Sequence, residues 1–147
     1  MKTTWYQKLI LGLAGLAALV IGLMITFAPH TFYASYGLSL GESPDLLSEL
    51  RAPGANLAAL GVIILVGVFR AGFAPVSALI AQTLFLAYAF GRTVSVMMDG
   101  MPSDGIFQAL IIELVIGGLC LALFYRRPGV TRPADSPARR CRKPRQA

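Results

Sequence analysis

The chain has 147 residues, of which 56% are hydrophobic and only 14% are charged. Soluble domains carry about 25% charged residues, so this composition excludes an ordinary soluble protein, and the length leaves room for one domain. The formal net charge of +6 is concentrated in the C-terminal tail rather than on a folded face. Two cysteines and one histidine give no disulfide framework and argue against a zinc site or a Ser-His-Asp triad.

Four apolar stretches are each long enough to cross a membrane as a helix. The first covers residues 9–28, which is too long for the hydrophobic region of a signal peptide, so we interpret it as a retained helix. The others lie at about residues 50–69, 75–98 and 105–125. The predicted fold class is therefore all-α. We expect a polytopic membrane protein whose residues 1–126 form an antiparallel bundle of four transmembrane helices.

A stripe of small residues runs along the first span and would let a neighbouring helix pack closely. It consists of Gly12, Gly15, Ala18 and Gly22. The following connection, residues 29–41, is aromatic rather than charged, so its rings suit the headgroup zone, and a short interfacial helix is plausible there. Ser43, Pro44 and Asp45 then provide an N-cap, a first-turn proline and a first-turn acid, which together predict a helix start.

Polar residues interrupt the apolar spans at a few positions. Tyr88, Arg92, Ser95 and Asp99 fall on one face of the third span at helical spacing. Glu113 lies about nine residues inside the fourth span, hence ~14 Å deep. Charged groups inside a membrane usually face protein or a water-filled cavity and are functional candidates. We expect the polar residues of the third and fourth spans to lie near those in the first turns of the second span, and together they form the candidate site. Its members are Glu49, Arg51, Asn56, Arg92, Ser95, Asp99 and Glu113.

Three interpretations of this set are open. Its two arginines and three carboxylates could form a buried ion-pair network that holds the helices in register. It could instead be a pocket for a small amphiphilic ligand, or bind a partner's helix. Third, two of its carboxylates could do acid–base work in catalysis, but no nucleophile, metal or cofactor accompanies them. The sequence favours a non-enzymatic membrane module with no metal and no cofactor. The alternative is a membrane enzyme or proton-coupled carrier that uses Glu113 and Arg92.

The C-terminal segment, residues 127–147, is rich in proline and basic residues and is predicted to be a disordered tail. Its expected partner is anionic lipid headgroups, and the absence of a folded nucleic-acid module argues against nucleic acid. Four spans place both termini on one side, together with Lys2, Lys8 and Arg70. The positive-inside rule makes that side cytoplasmic. A homo-oligomer or another membrane-protein partner is left open.

Two motifs carry a family resemblance: Glu49-Leu-Arg51-Ala52, and Gly-Arg92-x-x-Ser95-x-x-x-Asp99-Gly100-x-Pro102. They resemble the signature of an uncharacterised bacterial family of small four-helix membrane proteins, the domain-of-unknown-function family DUF4345. The resemblance covers about Tyr6 to Arg126. It implies four helices and residence in a bacterial membrane, and it implies no activity. We expect that membrane to be the bacterial inner membrane. The predicted four-helix architecture also resembles, more loosely and at the level of the fold alone, that of DoxX-like membrane proteins.

Overall fold

A computed structural model describes residues 4–125, with side chains through residue 122. This part of the chain is all-helical, with no strand. The helices are α1 (Trp5–Phe27), α2 (Pro29–Ala34), α3 (Pro44–Phe69), α4 (Ala74–Asp99) and α5 (Asp104–Tyr125). The predicted all-α fold is confirmed, and four of the helices are long and apolar enough to cross a membrane. The basic tail, and the disorder predicted for it, lie outside the described residues.

Local signals account for where the helices begin and end. The backbone N–H of Thr4 donates to Oε1 of Gln7 at 3.0 Å, so α1 begins four residues before its apolar run. Proline occupies the first turn of α2, α3 and α4, where its missing N–H costs no helical hydrogen bond. Gly100, with φ of 95°, ends α4 in a backbone conformation that few other residues adopt.

α1 and α3 pack backbone against backbone through glycines. A Cβ added at Gly61 would lie 2.5 Å from the backbone nitrogen of Leu19, and one added at Gly22 would overlap the backbone nitrogen of Ala58. Such contact allows dispersion forces to act along both helices, the usual basis of helix association in membranes. Gly12, although it belongs to the predicted small-residue stripe, has open space beside it.

The bundle consists of two helix pairs, α1 with α3 and α4 with α5, which are joined mainly by contacts between α3 and α4. The second pair includes the packing of Leu86 against Gly117. Both the connection that contains α2 and the turn at residues 100–103 lie at one end of the bundle, which we call the α2 end. The turn at residues 70–73 and the N-terminus lie at the other end.

Candidate functional site

An ion pair between α4 and α5 is the centre of the site. Nε of Arg92 donates to both carboxylate oxygens of Glu113, at 3.0 Å each. The Glu113 side chain is 12% exposed and that of Arg92 is 31% exposed, so the pair is largely withdrawn from the bundle surface. Hydrogen bonds between ionised groups are about twice as strong as neutral ones, and a charge this deep in a span needs such a partner.

Beside this pair lies a cavity of about 270 Å³. All four long helices contribute to its wall, and α2 with the residues after it contributes the remainder. Its volume is close to the lower limit for small-molecule sites, roughly 300 Å³. The wall is mainly apolar, with polar atoms from the ion pair and from tyrosines. Its lining residues include Leu57, Leu84, Phe85, Tyr88, Arg92, Ile106, Ala109 and Glu113.

The aromatic residues of the first connection cover the α2 end of the cavity. Phe32 contacts Tyr33 and Tyr36 edge to face, with ring centroids 5.2 and 5.3 Å apart. The Tyr36 ring also packs on the first turn of α5, where a Cβ added at Gly105 would lie 2.9 Å from it. Edge-to-face contacts of this kind add stabilisation beyond simple burial. The connection is therefore folded over the site and packed onto α5.

Two tyrosine hydroxyls lie close to the ion pair. Burial raises the pKa of Tyr33 above its ordinary value, although the nearby Arg92 guanidinium acts in the opposite direction. Tyr88 is near enough to Glu113, Tyr33 and Arg92 to interact electrostatically with all three. Neither hydroxyl, and neither terminal nitrogen of Arg92, has a hydrogen-bond partner among residues 4–122. These groups are available to a molecule in the cavity.

The other predicted site residues are arranged differently. The Ser95 hydroxyl donates to Oδ2 of Asp99 at 3.0 Å within α4, on the exposed surface. Glu49, Arg51 and Asn56 are exposed on α3 and do not line the cavity. Arg51 instead borders a shallow groove with Thr26 of α1. All seven predicted residues lie in the half of the bundle nearest the α2 end. Of these seven, Arg92 and Glu113 are the two that line the cavity in the described part of the chain.

Sequence reasoning assigned the aromatic connection to the headgroup zone, and so missed its part in the site. Phe32, Tyr33 and Tyr36 line the cavity, as does Tyr88, which the helical spacing had placed on the face of Arg92. The sequence signal that could have indicated this role is the cluster of aromatic residues, with no Asp, Glu, Lys or Arg beside them, in residues 29–41. That connection is long enough to fold back over the bundle. Ala109, one turn from Glu113, supplies the space beside the carboxylate.

The described part of the chain contains no group of three or more His, Cys, Asp or Glu side chains that could hold a metal ion. His30 lies 3.9 Å from Glu42, but both side chains are well exposed and neither residue lines the cavity. Cys120 is fully buried in the core among apolar side chains. The arrangement around Arg92 and Glu113 can therefore donate hydrogen bonds and hold an apolar molecule.

Neither the curated proteins nor the solved structures include a significant match to the chain. The resemblance to DoxX-like proteins accordingly stays a prediction. A family model does match: the one described as Domain of unknown function (DUF4345) aligns with residues 6–124, which include all four long helices nearly to their ends. The family resemblance read from the two polar motifs is thereby confirmed, and the chain belongs to the DUF4345 family.

Proposed function

We propose that this multi-pass membrane protein is a non-enzymatic module that binds a small amphiphilic ligand in the cavity at the α2 end. The observation that carries the proposal is the position of Arg92 and Glu113 in the wall of that cavity. A pair that served only to hold α4 against α5 would need no space beside it. Here the space is about 270 Å³, and unused hydrogen-bond donors border it.

The shape of the site favours a small molecule over a partner's helix. An α-helix with its side chains is about 10–12 Å across, so a helix would need a groove that is open along one side. The cavity is instead bounded by all four long helices and covered by Tyr33 and Tyr36. A partner helix would have to displace α2, whereas a small amphiphile would not.

The distribution of polar groups favours binding over transport. A proton-coupled carrier that used Glu113 and Arg92 would need polar groups continuing through the bundle on the side away from α2. In that direction the lining of the cavity is apolar, with Ala18, Leu57 and Leu84. The enzyme or carrier interpretation is the second candidate. Unlike the binding proposal, the enzyme or carrier interpretation requires Glu113 to exchange a proton. Glu113→Gln would then abolish the activity.

For the membrane and the orientation we propose the bacterial inner membrane with both termini in the cytoplasm. The support is the distribution of charge: Lys8 and Arg70 are at the end opposite α2, while Glu42, Asp45 and Asp104 are at the α2 end. Basic residues in short loops remain on the cytoplasmic side during insertion. The cavity would then be reached from the periplasmic half of the membrane.

A pair of phenylalanine variants tests the binding proposal. Ala109→Phe fills the cavity, because Ala109 is half-buried in its wall. Ala87→Phe makes the same chemical change on the exposed surface of α4, near the depth of Tyr88. Each protein is purified from membranes, and its organic extract is compared by mass spectrometry with an extract of the membranes themselves.

We expect wild-type protein and Ala87→Phe to carry a small molecule enriched over bulk lipid, and Ala109→Phe to lack it. A wild-type extract identical to that of the membrane would contradict the proposal. So would equal enrichment in Ala109→Phe, because the molecule would then be bound somewhere other than this cavity.

A further inference from the structure

We infer that the ligand is an uncharged amphiphile whose polar end is a hydrogen-bond acceptor, such as a carbonyl oxygen, held by Arg92 and Tyr88. This inference rests on the proposed function and specifies the chemistry that the cavity selects. It is carried by three features of the wall: its net charge, its surplus of donors, and the size and shape of its apolar part.

The charges in the wall cancel. Arg92 and Glu113 are the charged residues that line the cavity, and they are hydrogen-bonded to each other. An anionic ligand would be attracted by the guanidinium and repelled by the carboxylate about 3.0 Å from it. A cationic ligand would be attracted by the carboxylate and repelled by the guanidinium. Either ion would lose its hydration without gaining a net opposite charge, so a neutral molecule is favoured.

Donors outnumber acceptors at the polar end. A guanidinium has five N–H groups, and Glu113 uses only the one on Nε. The terminal nitrogens of Arg92 and the hydroxyl of Tyr88 have no hydrogen-bond partner within residues 4–122. Both oxygens of Glu113 already accept a hydrogen bond. A ligand oxygen with two lone pairs would satisfy these donors, whereas a ligand that only donates would leave them unpaired.

The remaining wall sets the size and shape of the ligand. A volume of about 270 Å³ accommodates one or two fused rings or one short chain, and excludes a complete two-chain phospholipid. Phe85 and Tyr88 on α4 and Tyr33 in α2 present rings to this space. Aromatic rings favour stacked or edge-on contacts with other rings. The cavity therefore suits a compact ring system with the acceptor at its edge.

The test uses four naphthalene probes with the same ring body and different polar ends. Acetylnaphthalene is neutral and has one acceptor, ethylnaphthalene has none, naphthoate is an anion, and naphthylmethylammonium is a cation. Binding to the full-length protein in phosphatidylcholine nanodiscs is measured by equilibrium dialysis. Nanodiscs that contain Ala109→Phe give the background from partition into lipid, because a phenylalanine side chain at this position would occupy the cavity.

We expect acetylnaphthalene to bind about tenfold or more tighter than ethylnaphthalene, as a hydrogen bond to a charged donor predicts. Naphthoate and the ammonium probe should bind more weakly than acetylnaphthalene. Equal binding of acetylnaphthalene and ethylnaphthalene, or tighter binding of either ion, would overturn the inference and leave the cavity as a ligand site. Failure of all four to exceed the Ala109→Phe background would instead contradict the proposed function itself.

Two variants test which side chains cause the preference for acetylnaphthalene over ethylnaphthalene. Arg92→Leu combined with Glu113→Leu should abolish the selectivity, so that acetylnaphthalene binds no more tightly than ethylnaphthalene. Tyr88→Phe removes one hydroxyl and keeps the ring, so it should weaken acetylnaphthalene about two- to tenfold and leave ethylnaphthalene unaffected. Tyr88→Phe keeps the test decisive even if the double variant does not fold. Selectivity that survives in Tyr88→Phe and in the double variant would show that other groups hold the polar end.

Discussion

Arg92 on α4 and Glu113 on α5 are joined through a single nitrogen, since Nε lies 3.0 Å from each carboxylate oxygen. The parallel arrangement common for arginine and carboxylate would engage two nitrogens instead. Contact through Nε alone leaves the two terminal nitrogens of Arg92 outside the ion pair, and both residues line the cavity. One ion pair can thus connect two helices and still present donors to a ligand.

The first prediction concerns the stability that this pair provides. Arg92→Leu leaves the carboxylate of Glu113 unpaired and largely buried, so it should lower the free energy of unfolding by about 3 kcal/mol. Adding Glu113→Leu should restore stability to within about 1 kcal/mol of wild type, because a well-packed apolar pair often replaces a buried ion pair. Thermal unfolding of wild type, Arg92→Leu, Glu113→Leu and the double variant in one detergent measures this. Losses that add in the double variant would show that the two side chains do not interact.

The second prediction concerns the contact between α1 and α3. Gly22→Ala places a methyl group against the backbone of Ala58 and should destabilise the bundle by about 1–3 kcal/mol, since the two helices must move apart. Gly12→Ala is the matched control on the same helix, where a methyl group meets open space. It should be neutral or slightly stabilising because alanine is the better helix former. Equal effects of the two substitutions would refute the close approach of α1 and α3.

The third prediction concerns the ionisation of Tyr33. Its pKa is raised by burial, so in the folded protein it should ionise above 10.0. The difference in ultraviolet absorbance between wild type and Tyr33→Phe, followed during an alkaline titration, isolates this one residue. Because the unfolded chain ionises first, the free energy of unfolding should fall as pH rises from about 10 through the folded pKa. A midpoint below 10 would mean that attraction to Arg92 outweighs burial, with Tyr33 as a phenolate partner.

The fourth prediction concerns orientation. With Cys120 replaced by alanine, cysteines introduced at Ser39 and Ser103 should react with a membrane-impermeant maleimide added to intact bacterial cells. Both positions are exposed at the α2 end. The native Cys141 of the tail should react only after the cells are permeabilised. Labelling of Cys141 in intact cells would reverse the proposed topology and move the cavity to the cytoplasmic half of the membrane.

The helices could be predicted from the sequence because each depends on a local property. An apolar run long enough to span a membrane predicts a helix, and proline or glycine beside it marks an end, as at Pro44 and Gly100. The apolar run placed the start of the first helix near residue 9, whereas α1 begins at Trp5. Amphipathic residues extend a helix into the interface without lengthening the apolar run.

The site could be predicted only in part, because it depends on how helices face one another. Helical spacing places Arg92 and Asp99 on one face of α4, and Glu113 lies in the next span, so the sequence alone allows either acid as the partner of Arg92. The packing of α4 against α5 selects Glu113, while Asp99 pairs with Ser95. Tyr33 and Tyr36 line the cavity, and the packing of Tyr36 against Gly105 of α5 is a contact that no local pattern shows.

The central claim is that Arg92 and Glu113 are needed to bind a ligand more than to stabilise the fold. It is tested most directly in a bacterial strain in which deletion of this gene causes a measurable defect. The variant Arg92→Leu with Glu113→Leu is expressed there, with Ala87→Phe as the control that should rescue fully. We expect the double variant to accumulate in the membrane and to unfold at the temperature of wild type, while the defect persists. Full rescue by the double variant would contradict the account, because Arg92 and Glu113 would then serve only to hold α4 against α5.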